Sequence, residues 1–185
     1  MRSEKEMFDL IIGTARKDER IRAVYMNGSR TNKNARKDIF QDYDIVYVVR
    51  ETRPFYEQKN WIDLFGERLF MQCPEEVDKS IGREVDFDKC YGWLMQFKDG
   101  NRLDLRVIPL EEASAYIGKL CVILLDKDGI LPELPEPSDE EHWIRKPTQN
   151  EFSACCNEFW WCLNNVAPAG ISRYPAHPSG RNSAL

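Results

Sequence analysis

Asp42-Tyr43-Asp44-Ile45-Val46-Tyr47-Val48-Val49 is the stretch on which the reading of this chain turns. Residues 43–50 form its most apolar strand-like run, and a strand apolar at successive positions is buried on both faces and therefore central. Side chains at i and i+2 of a strand share a face, so Asp42 and Asp44 are expected side by side at the mouth of that strand. Two like charges so close are costly unless a cation neutralises them, and hard oxygen ligands favour Mg²⁺.

Working outward, Met26-Asn27-Gly28-Ser29-Arg30 ends an earlier apolar run, residues 21–26, in a Gly-Ser turn. A third acid, Asp104, stands within Arg102-Leu103-Asp104-Leu105-Arg106-Val107-Ile108, where a solvated carboxylate has little reason to be. Asp42, Asp44 and Asp104 are the candidate metal ligands, holding one or two Mg²⁺ ions against a nucleoside triphosphate, with Asp104 also the base for an attacking hydroxyl. Ser29 and the Gly28 amide are candidates for binding the terminal phosphates, and Arg30 for neutralising their charge. Asn32 and Lys33 are further candidate contacts. Acid-x-acid triplets are common, and Asp86-Phe87-Asp88 and Asp126-Lys127-Asp128 occur in the same chain. The first lacks the strand, and the second begins a turn at Gly129.

The surrounding pattern is α+β. Ser3-x-x-Glu6 is a capping box ahead of Met7, Phe8, Ile11, Ile12 and Ala15 at helical spacing, which predicts a helix to about Lys17. Residues 31–41 are polar and basic, a short helix or a loop. Pro54, Phe55, Ile62, Phe65 and Gly66 predict a second helix, and residues 68–72 a strand. Residues 75–89 show no period. Residues 91–97 and 102–108 flank Lys98-Asp99-Gly100-Asn101, a hairpin signal. Pro109 opens an expected third helix through Ile117, and residues 121–125 read as a last strand.

The expected domains are a catalytic unit over 1–131, an acidic Pro-rich linker over 132–147, and a helix over 148–166 that opens a further helical domain. In that helix Phe152, Cys155, Cys156, Phe159, Trp160, Leu163 and Val166 trace one apolar face behind the Thr148-x-x-Glu151 capping box. Left uncovered, such a face predicts self-association. Pro168, Gly170, Pro175, Pro178 and Gly180 predict a disordered tail over 167–185.

The chain has 185 residues, 42% of them hydrophobic and 31% charged, with a mean hydropathy of −0.56. No run is long enough to cross a membrane, and the N-terminus is not a signal peptide, so the expected location is the cytoplasm. The six cysteines show no C-x-x-C spacing and are expected as reduced thiols, mostly buried. A net charge of −5 argues against a nucleic-acid partner and suits a small cationic substrate. His142 and His177 lie in linker and tail, with no paired ligand near either.

The Gly28-Ser29-Arg30, Asp42-Tyr43-Asp44-Ile45-Val46 and Asp104-Leu105-Arg106 motifs together resemble the nucleotidyltransferase superfold of polymerase-beta-like enzymes. Leu124-Leu125-Asp126-Lys127-Asp128-Gly129 and Phe159-Trp160-Trp161-Cys162-Leu163-Asn164-Asn165-Val166 extend the resemblance to the aminoglycoside (streptomycin) 6-adenylyltransferases, over residues 1–166. That resemblance implies a mixed sheet with flanking helices followed by a helical domain, and AMP transfer from ATP, with Mg²⁺, to the 6-hydroxyl of streptomycin, conferring antibiotic resistance. The tail departs from the family pattern, as a truncated chain would. Two other readings remain: a minimal nucleotidyltransferase with a protein or nucleotide acceptor, and a weakly active or inactive remnant that binds nucleotide only.

Overall fold

A computed structural model describes residues 1–169, with side chains through residue 164. Ser3 caps α1 (Glu4–Lys17): the Glu6 amide donates to its hydroxyl at 3.3 Å, and its own amide donates to the Glu6 carboxylate at 2.7 Å. Met7, Ile11 and Ala15 follow at intervals of four, and all three are fully buried. The strands are β1 (Ile21–Asn27), β2 (Tyr43–Val49), β3 (Arg68–Gln72), β4 (Tyr91–Phe97), β5 (Arg102–Pro109) and β6 (Cys121–Asp126). They form one sheet in the order β3-β4-β5-β2-β1-β6. β2 is therefore internal, as its unbroken apolar run requires, and β2–β5 is the parallel pairing among otherwise antiparallel neighbours. The architecture is α+β.

The two faces of the sheet are filled unequally. One carries the larger core, in which Met7 and Ile11 of α1 and the aromatics Phe55, Trp61 and Phe65 cover Tyr47, Trp93 and Leu105. Phe55 and Phe65 meet Trp61 edge-on at ring separations of 4.8 and 5.7 Å, a preferred aromatic geometry. The other face is closed at one end only, by a small cluster of Ala23, Tyr25, Val46, Val48, Ile108 and Cys121 under Ala113 and Tyr116. Beyond that cluster the same face carries Asn27, Asp44, Asp104 and Arg106.

Three expectations about local structure are corrected. The helix expected from Pro54 to Gly66 is a short α2 (Arg53–Glu57) and a separate 3-10 turn, Trp61–Phe65, because the chain leaves helical geometry at Gln58 to bring Trp61 onto Phe55. A helix forms where no period was legible, α3 (Pro74–Ser80), with Pro74 in its first turn, Glu75 and Glu76 at its positive end and no buried residue. The third helix expected after Pro109 is only a 3-10 turn, Leu110–Glu112. Further along that segment the Tyr116 carbonyl accepts a hydrogen bond from Asn27 Nδ2 at 2.8 Å.

The chain divides into two compact units, and the first is Met1–His142. Within it the acidic Pro-rich stretch is held as far as Ser138, whose amide donates to the Lys119 carbonyl at 3.1 Å, while Leu134 packs against the smaller cluster. In the second unit α4 (Gln149–Ala169) starts from the expected box at Thr148, whose hydroxyl accepts from the Glu151 amide at 3.3 Å. α4 extends through residues 167–169, and the rest of the expected tail, with His177, lies outside the described residues. Phe152, Phe159, Trp160, Trp161 and Leu163 are exposed. All six cysteines are free thiols, but against the expectation only Cys121 is buried; Cys73, Cys90 and Cys156 are half-buried, and Cys155 and Cys162 are exposed. Among the described residues no helix is long and apolar enough to cross a membrane.

Candidate active site

The polar end of the open face is built by strand register. Asp44 on β2 lies beside Asp104 on β5 in the parallel pairing, and beside Asn27 on β1 in the antiparallel one. Asp42 is not itself in the strand; it sits just ahead of Tyr43. It is presented there by Arg30, whose guanidinium donates to the backbone carbonyls of Asp42 (2.8 Å) and Gln41 (2.7 Å) and lies 3.8 Å over the Tyr43 ring. One carboxylate oxygen each from Asp42, Asp44 and Asp104 can be chosen so that all three lie within 4.8 Å of one another.

Gly28 makes room for this arrangement. Its φ of 82° lies in the left-handed region, and a Cβ there would stand 2.1 Å from Asp44 Oδ2, far inside contact distance. The Asp44 carboxyl thus occupies the space that any other residue's side chain would take.

Charge compensation in the cluster is uneven. Arg102 forks onto Asp104, its Nε and Nη2 donating at 2.9 and 2.6 Å, and its Nη1 lies 3.5 Å from Asp42. Asp44 has no hydrogen bond or ion pair among the described residues. Burial, then the charges of Asp42 and Asp104, push its carboxyl up to about 6, against partial relief from Arg102 and Arg106. Three hard carboxylates with one short of a counter-charge form a donor set that suits a divalent cation such as Mg²⁺.

The residues expected at the phosphates separate. Ser29 opens a 3-10 turn, Ser29–Thr31, and its exposed hydroxyl is 3.5 Å from Gln41 Nε2. The Gly28 amide does not face a ligand, because it donates to the Leu120 carbonyl at 3.1 Å. Arg30 is committed to the Asp42 loop, and Asn32 and Lys33 contact Asp139 and Glu136 at 3.0 and 3.2 Å. His142 stands in a 3-10 turn, Glu140–His142, at the end of the first unit.

A cavity of about 330 Å³ opens beside the acids, lined by Asn27, Asp44, Val46, Gly92, Asp104 and Arg106 among others. Two buried polar atoms of its lining residues, Asn27 Oδ1 and Arg106 Nε, have no hydrogen-bond partner among the described residues. Both side chains converge on Tyr116, which binds the Asn27 amide through its carbonyl and stacks against the Arg106 guanidinium at 4.5 Å. The sequence reading passed over Asn27, Arg106 and Tyr116 as site residues. Period-two alternation from Asp104 places Arg106 on the acid face and was a usable signal; nothing local points to Tyr116.

Comparison with known proteins agrees with this geometry. Residues 1–174 match the streptomycin adenylyltransferase family. Proteins named aminoglycoside 6-adenylyltransferase share 44% identity with the chain in Bacillus subtilis and 39% in Staphylococcus aureus, each over 94% of this chain and 61% of their own length. The Campylobacter jejuni protein of that name shares 43% identity over 86% of this chain and 55% of its own. A crystal structure of an aminoglycoside 6-adenyltransferase from Bacillus subtilis superposes with a TM-score of 0.58 at 38% identity, covering 87% of this chain and 54% of that one. The chain spans about three fifths of the length of the curated relatives it matches most fully. A nucleotidyltransferase-like mixed sheet, an acidic triad brought together on β2, on β5 and in the loop ahead of β2, and a match over nearly the whole sequence place this chain in the streptomycin adenylyltransferase family.

Proposed function

We propose that this chain transfers AMP from ATP to a hydroxyl of streptomycin, the 6-hydroxyl, in the bacterial cytoplasm, and so confers resistance to the drug. The observation that carries this reading is the cluster of Asp42, Asp44 and Asp104, with Asp44 only partly compensated by Arg102 and Arg106. In this reading residues 1–131 are the nucleotidyltransferase domain, 132–147 the linker, and the helix from 148 begins a helical domain.

Asp42, Asp44 and Asp104 would hold Mg²⁺, which when bound neutralises triphosphate charge and strengthens the electrophilicity of the α-phosphorus. Asp104 accepts the proton of the drug hydroxyl as its oxygen bonds to that phosphorus. The bond from the α-phosphorus to the α–β bridging oxygen breaks, pyrophosphate leaves, and the Ser29 hydroxyl donates to its oxygens. Arg102, which lies across Asp104 and Asp42, offsets part of their charge. Asn27 and Arg106 shape the cavity next to Asp44.

One observation favours a second reading, nucleotide binding with weak turnover and self-association: the apolar side chains exposed along α4. Incubating the chain with ATP, Mg²⁺ and streptomycin, and measuring pyrophosphate and adenylylated drug, separates the two. Equimolar pyrophosphate and modified drug is the expected result. Bound nucleotide with little or none of either product, from a chain that light scattering shows to be associated, would establish the second reading instead.

A further inference from the structure

The open face of the sheet continues past the acids in the direction away from Ser29. In register, Leu94 on β4 lies beside Asp104 and Gln96 beside Arg102; on β3, Gln72 lies beside Leu94 and Phe70 beside Gln96. These side chains share the face of Asp44 and Asp104 and line a shallow groove of about 290 Å³ bordered by Arg102. Phe70 is 66% exposed on an edge strand, a position where a large aromatic gains little for folding. Gln72 is exposed and its carboxamide has no hydrogen bond among the described residues. Gln96 donates through Nε2 to the Asn101 carbonyl at 3.1 Å, leaving its Oε1 as an acceptor.

We infer that this groove is the seat of the acceptor, a cationic polyhydroxylated sugar, and that Phe70 and Gln72 set its affinity. The inference rests on the nucleotidyltransferase reading above. Attacking and leaving oxygens stand on opposite sides of the phosphorus. With pyrophosphate departing toward Ser29 beyond β1, the hydroxyl enters over β5, and the rest of its molecule must lie over β4 and β3. The chemistry there fits. Two carboxamides match hydroxyl and guanidino hydrogen bonds, and an exposed aromatic ring holds a cation or the apolar face of a sugar. The cationic side chain at its border, Arg102, is engaged by Asp104 and Asp42.

The test titrates streptomycin into the full chain with Mg²⁺ and a non-hydrolysable ATP analogue, and titrates the analogue separately. Phe70→Ala and Gln72→Ala should each weaken drug binding, Phe70→Ala by roughly tenfold, with affinity for the analogue unchanged and Phe70→Trp restoring drug binding. Undiminished drug affinity in both variants, drug that fails to bind the parent chain, weakened analogue binding instead, or a change confined to self-association would each overturn the inference. A parent chain that does not bind the Mg²⁺-dependent analogue would instead sink the nucleotidyltransferase reading, so the two failures are distinguishable.

Discussion

Three Asp-x-Asp triplets in this chain meet three different environments. Asp126 is used up by the backbone, accepting from the amides of Asp128, Ile130 and Leu131 at 3.2, 3.2 and 2.9 Å, and so closes the turn after β6. Asp128 pairs with the largely buried Arg22, which holds its carboxyl below the usual range. Asp88 accepts from the Tyr56 hydroxyl and from Arg53 at 2.9 and 3.0 Å, and both interactions lower its pKa. Among the described residues Asp44 has neither a hydrogen-bond donor nor an ion-pair partner, only partial relief from Arg102 and Arg106, and its pKa moves the other way, up to about 6. What separates the candidate site from the structural triplets is therefore not the spacing of the acids. It is whether the fold has already satisfied them.

Substitution among the three clustered acids, Asp104 and the Asp42-x-Asp44 triplet, should have the largest consequence. Asp104→Ala is expected to slow transfer by roughly two to four orders of magnitude while leaving ATP binding nearly intact; unchanged turnover with only a raised KM for ATP would reassign it to ground-state binding. Asp42→Asn or Asp44→Asn should leave less than about a tenth of parental transfer, since a lost metal ligand usually costs several kcal/mol. Steady-state rates that keep more would move the metal site elsewhere.

Gly28→Ala sharpens the same contrast without removing a charge. Its methyl group collides with Asp44 Oδ2 and must displace the carboxyl, at a position already requiring positive φ. A displacement near 1 Å costs about a hundredfold in rate, and isothermal titration should show weaker Mg²⁺ binding. Parental kinetics in this variant would break the claim that Asp44 depends on the glycine.

A satisfied triplet should respond in stability alone. Asp126→Ala leaves backbone amides unpaired and should lower unfolding free energy by about 1–3 kcal/mol, with transfer per folded molecule unchanged. Chemical denaturation together with an activity assay decides the matter.

The smallest effect has the opposite sign. Metal-free Asp44→Asn should melt ~2–4 °C above the parent at neutral pH, the response to about 1 kcal/mol in a domain of this size. The folded-state pKa of Asp44 is raised to about 6 from an ordinary 3.8, so its ionisation opposes folding above that pH. As pH falls through about 6 the folded carboxyl takes up a proton that the unfolded one does not, and parental stability rises. The gap between the two proteins should therefore close toward pH 4. A gap independent of pH would show that the acid is not electrostatically strained.

By itself the sequence determined most of the strand order's raw material. The apolar run at 43–50 required an internal strand, Asp99-Gly100 turned β4 into β5, and Ser3-x-x-Glu6 started α1, because each of these depends on neighbours within a few residues. It also named the three acids. Tertiary structure decided what those acids could become. The parallel pairing of β2 with β5 set Asp104 beside Asp44 across sixty residues of chain, a register that no local pattern encodes. Packing on Trp61 broke the second helix, and the Arg30 clamp drew a supposed phosphate contact into the Asp42 loop. Propensity and periodicity act over a turn or a pleat. Register, burial and charge compensation arise where distant segments meet, and there the fold settled which carboxylates are paired, as Asp104 is by Arg102, and which, like Asp44, are not.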